Sequence, residues 1–114
     1  MNTLKDALSL DGTAQAELIR KKEITPLELV EAAIAGIERL NPQINAVVTF
    51  LFEQGRAAAA GNLPEGPFTG VPFLLKDILA SYAGAAMTLG AALLRHFADV
   101  VIEVFVVGFK EAIV

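Results

Sequence analysis

The residues best placed for chemistry in this 114-residue chain are a lysine and an aspartate that close an apolar run, Gly70-Val71-Pro72-Phe73-Leu74-Leu75-Lys76-Asp77. An ammonium group is costly to take out of water. An apolar setting therefore lowers a lysine pKa and leaves an amine that can accept a proton near neutral pH. Phe73, Leu74 and Leu75 are the neighbours expected to supply that setting. The plainer reading of Lys76 is a strand-end lysine whose stem lies on apolar surface while its head reaches water. A base needs a hydroxyl to activate, and the chain has two serines. Ser9 precedes the first helix and belongs to no motif; Ser81 follows Lys76 closely, in a turn. If the chain is catalytic by itself, Ser81 is the expected nucleophile, with backbone N–H groups near Gly84 or Gly90 for the oxyanion. The alternative is an ordinary turn hydroxyl, because small polar residues populate turns for backbone reasons. Asp77 is expected to pair with a backbone N–H or a basic group. His96 follows Arg95 at a helix end, where a cation suits the dipole.

Other chemistries are excluded or disfavoured by composition. There is no cysteine, hence no disulfide, thiolate metal site or cysteine nucleophile, and one histidine cannot make a multi-histidine metal site. No metal or cofactor is expected. The net charge is −4, and the one basic cluster, Arg20-Lys21-Lys22, is flanked by Glu17 and Glu23, so it reads as a solvated helix surface. Nucleic acid is not expected as a partner, since binding to phosphates needs a basic patch. The N-terminus carries charges through its first residues and does not read as a signal peptide. The apolar stretch over 97–114 is broken by Asp99, Glu103, Lys110 and Glu111, which argues against a membrane span. A soluble, cytoplasmic protein is the expectation.

The elements that must position Lys76 can be read from pattern. Ile24-Thr25-Pro26-Leu27-Glu28-Leu29 is a helix start: Thr25 as N-cap, Pro26 at the first helical position, Glu28 completing a capping box, and Ile24 and Leu29 as a hydrophobic staple. Leu29, Val30, Ala33, Ile34, Ile37 and Leu40 then share one face, and Asn41-Pro42 is expected to end the helix. A shorter helix precedes it, with Thr13 as the expected cap and Ala14, Leu18 and Ile19 inward. Residues 46–52 are rich in β-formers, with continuation into the next helix as the alternative; 53–60 read as a helix ending at Gly61-Asn62, and 63–70 as a loop by their Pro and Gly content. Residues 71–75 form a continuous apolar run of the kind buried on both faces of a sheet, with Pro72 at the start of the strand. A helix over 88–97 and a third strand over 100–107 complete the pattern. The expected fold is α/β: a mixed sheet of strands near 46–52, 71–76 and 100–107, covered by N-terminal helices, in a single domain over 1–114.

Taken in order, several of these pieces resemble the opening of the amidase signature family of Ser-cisSer-Lys amide hydrolases. They are Asp11-Gly12-Thr13 with Leu18-Ile19-Arg20, Thr25-Pro26-Leu27-Glu28-Leu29-Val30-Glu31-Ala32, Leu40-Asn41-Pro42, Ile44-Asn45-Ala46-Val47-Val48-Thr49, and Gly66-Pro67-Phe68 leading to the Lys76 motif. The resemblance covers about residues 10–97. It implies the N-terminal part of that family's fold and assigns Lys76 the role of triad base, with Tyr82, Thr88 and Gly90 on the substrate side. Beyond Phe97 the chain is more apolar than the family pattern, and Gly90-Ala91 stands where the family tends to place a glycine-serine pair. No Gly-Gly-Ser-Ser-Gly-like segment lies among the 114 residues, so neither family serine can be assigned.

The function expected is hydrolysis of a small-molecule amide or ester, with Lys76 and Ser81 as the catalytic residues. The alternative is an amidase-like piece that acts as an assembly or interaction module. Hydrophobic residues make up 54% of the sequence and the mean hydropathy is +0.55. A chain this short has too much surface to hide so many apolar side chains, so a homo-oligomer is expected.

Overall fold

The structure is a computed structural model and describes residues 3–76. One compact unit reaches to Pro72; the second begins at Phe73, and residues 73–76 are its described part. Four helices make up the regular structure of the first unit: α1 (Thr3–Ala7), α2 (Gly12–Arg20), α3 (Pro26–Ile44) and α4 (Phe52–Ala60).

α2 begins at Asp11, whose carboxylate accepts the Ala14 N–H at 2.8 Å. The expected cap, Thr13, lies inside the first turn instead. Both residue types can cap, and the upstream one won because its side chain reaches the third N–H of the helix. The helix closes in a Schellman arrangement: the Lys22 N–H donates to the Ile19 carbonyl at 2.9 Å and the Glu23 N–H to the Leu18 carbonyl at 3.0 Å. This turns the chain sharply and places Ile24 on the core, where it is buried with Ala7 and Leu29.

α3 starts as its sequence dictates. The Glu28 N–H donates to Thr25 Oγ1 at 3.2 Å, the Thr25 N–H donates to Glu28 Oε2 at 2.8 Å, and Ile24 and Leu29 share the core cluster, as a staple requires. Leu29 and Ile34 are buried and Val30, Ala33 and Ile37 half-buried, but Leu40 is exposed. The helix does not end at Asn41-Pro42; it runs through Pro42 to Ile44. Proline there costs the bond to the Glu38 carbonyl, but a single turn remains to be made and other contacts hold it. The Asn45 N–H donates to the Asn41 carbonyl at 2.7 Å from a left-handed cap, a conformation asparagine tolerates. The Asn41 side chain then grips Val47 from both sides, its amide donating to the carbonyl and its oxygen accepting the N–H, each at 2.8 Å.

Two weaker features complete the base. The Gln15 amide donates to the carbonyls of Ala7 and Leu10, each at 3.1 Å, which ties α1 to α2. α4 lies against α3, with Gly55 beside Val30 and the Arg56 guanidinium bidentate on Glu31, Nε to Oε1 at 2.6 Å and Nη2 to Oε2 at 3.1 Å.

The expected mixed sheet is overturned: the described residues are helical and contain no strand. At residues 46–52, the backbone groups of Val47 are satisfied by the Asn41 side chain rather than by a neighbouring strand, and Phe52 already opens α4. The β-branched content there reflects packing preference rather than pairing, which is the usual weakness of strand propensity. Residues 71–76 are irregular. The third expected strand, over 100–107, lies outside the described residues, as does the helix expected over 88–97.

Candidate functional site

The route to Lys76 starts in the loop over 61–70. Thr69 folds it back on itself: its hydroxyl donates toward the carbonyls of Pro64 at 2.9 Å and Gly66 at 3.1 Å, and the Val71 N–H donates to the Phe68 carbonyl at 3.1 Å. The Phe68 ring lies over Gly12 at the start of α2. Gly70 is buried and has φ +82°, in the left-handed region. It seats against Pro26 at the first turn of α3 and against Ile19 of α2. A β-carbon added to it would stand 2.8 Å from Pro26 Cγ and 3.2 Å from Ile19 Cδ1. Both the backbone angle and the neighbours would strain a residue with a β-carbon there, which favours glycine.

From Gly70 the chain runs through half-buried Val71 and Pro72 to Phe73 and Leu74, which are 58% and 65% exposed, then to half-buried Leu75 and exposed Lys76. The apolar shield expected from Phe73 and Leu74 is therefore not folded over the lysine within the described residues. Lys76 makes no hydrogen bond or ion pair there. Asp77, Ser81, Tyr82, Gly84, Thr88, Gly90 and His96 lie outside the described residues. Ser9 is exposed and donates its hydroxyl to the Asp6 carbonyl at 2.7 Å, a local turn contact.

The charged groups on the helices are structural. Two hydrogen bonds from Thr25, the backbone one first, hold the Glu28 carboxyl below the usual carboxylate range. The Arg56 guanidinium does the same for Glu31, and Glu31 and Glu53 together hold Arg56 firmly protonated. Glu17 pairs with Arg20 and, at 3.6 Å, with Lys21, on the solvated surface of α2. Among the described residues no group of three or more His, Asp or Glu side chains is arranged to hold a metal ion, and no helix is long and apolar enough to cross a membrane.

Two features have no counterpart in the local sequence pattern. Gly70 is visible as part of the lysine motif, but nothing in its neighbours announces a left-handed angle or a seat on Pro26. The Glu31–Arg56 pair joins residues far apart in the chain, and opposite charges on two separate helices carry no local signal.

Comparison with known proteins adds an independent line. The amidase family model matches residues 28–106, a span that contains the whole Lys76 motif and continues past Phe97. The 6-aminohexanoate-cyclic-dimer hydrolases of Pseudomonas sp. and of Paenarthrobacter ureafaciens are each 54% identical over 68 residues, covering 60% of this chain and 13% of those proteins. A lipoamidase of Enterococcus faecalis is 42% identical over 81 residues, 70% of this chain and 11% of its own length. The chain thus spans 11% to 13% of these curated relatives. No solved structure matches it.

Proposed function

The chain belongs to the amidase family, and from that membership we propose that it acts in the hydrolysis of a carboxamide bond, with Lys76 as the base. The observation that carries this reading is that the family match runs through the segment ending in Lys76-Asp77. In the reaction, a neutral Lys76 amine accepts the proton of a serine hydroxyl as the serine oxygen bonds to the carbonyl carbon. The carbonyl π pair moves onto oxygen, where backbone N–H groups hold it. The C–N bond then breaks, the proton returns from Lys76 to the leaving nitrogen, and water repeats the sequence on the acyl-enzyme. A second serine relays the proton in the enzymes this sequence resembles. Within these 114 residues we assign the nucleophile to Ser81. Esters belong to the same reading, since an alkoxide leaves with less help than an amine.

Phe73 and Leu74 do not cover Lys76, so the desolvation that favours a neutral amine has to come from substrate or from other groups. The first substrate to offer is the cyclic dimer of 6-aminohexanoate, the compound in the name of the relatives at 54% identity. It carries secondary amides and no charge at the reacting bond. A p-nitrophenyl ester is the second.

Lys76→Ala is expected to lower turnover at least about 100-fold, the range of a positioned general base. Its far-UV circular dichroism should match the parent, because Lys76 is exposed and outside every helix. Ser81→Ala is expected to do the same. Retained turnover in Lys76→Ala refutes the base assignment; retained turnover in Ser81→Ala alone moves the nucleophile elsewhere and leaves the base standing. A parent protein inert toward both amide and ester refutes the whole reading.

A further inference from the structure

We draw no further inference here: the strongest candidate, the exposed apolar patch of Leu40, Ile44, Val48 and Phe50 at the C-terminal end of α3 and in the segment after it, carries none, because nothing among the described residues shows what covers it.

Discussion

Lys22 sits at φ 58°, left-handed, one residue past the cap of α2, and its N–H and that of Glu23 close the helix end. A lysine has a β-carbon that resists this angle at a cost of about 1–2 kcal/mol, and the position is one that glycine normally fills. Lys22→Gly is expected to stabilise the fold by about 0.5–1 kcal/mol, the steric relief less the larger backbone entropy of glycine in the unfolded chain. Urea unfolding followed by circular dichroism checks it; a lower midpoint would mean that the lysine side chain contributes something its exposed position does not reveal. At this scale the sequence is legible where a motif is self-contained. The Thr25–Glu28 box reads directly because both partners and both bonds lie within four consecutive residues. The choice of Asp11 over Thr13 does not, because either can cap and only the path of the preceding chain decides between them. Gly70 reads as part of its motif and not as a left-handed angle, since the reason for the angle is Pro26, remote in the chain.

Between elements, the contact that fastens α4 to α3 is Arg56 on Glu31, reinforced by Glu53 at 2.7 Å from Nη1. Glu31 and Glu28 are both held below their ordinary value of 4.5. A carboxylate whose folded pKa is depressed binds protons more weakly than in the unfolded chain. Its contribution is therefore fully present above about pH 4.5 and is lost as the pH falls through the lowered folded value. Helix stability is expected to decline on acidification below that point. Glu31→Gln is expected to have a lower thermal midpoint than the parent at pH 7 and to converge with it at low pH, because the parent has by then lost the charge that the variant never had. Parallel midpoints at both pH values would show that the pair, exposed as it is, contributes nothing measurable. The same scale explains the expected strands that did not form. Residues 46–52 have the composition of a strand, but Asn41 captures Val47 and the α4 register begins at Phe52. Composition reports what a segment would pack well against; it does not say whether a pairing partner is there. The Pro42 stop failed for a related reason, since Asn41 and Asn45 hold a final turn that the proline alone would have ended.

For the molecule as a whole, family membership was readable because ordered short motifs survive even where each is weak, and the match over residues 28–106 bears that out. For the site, the motif offered Lys76 as a candidate base, a role that stays a proposal, and the proposed partner Ser81 lies outside the described residues. What remains conspicuous is apolar surface. Ile44 and Phe50 are 65% and 56% exposed, with Leu40 and Val48 beside them in the chain and Phe73 and Leu74 further on. Leu40 and Ile44 are one helical turn apart on α3, so they share a face, and the Phe50 ring lies tilted against Phe52 with centroids 5.2 Å apart. Apolar area left in water forgoes about 25 cal/mol per Å² of burial, and patches of this kind on soluble proteins mark association surfaces. The chain is accordingly expected to associate with itself: light scattering at micromolar concentration should give a mass above the 12.1 kDa of one chain. Ile44→Lys is expected to shift that mass toward the monomer without altering the helical signal, since the residue contributes to no buried cluster. A parent that scatters as a monomer would refute self-association, and a variant that assembles as fully as the parent would place the contact on a face other than the end of α3.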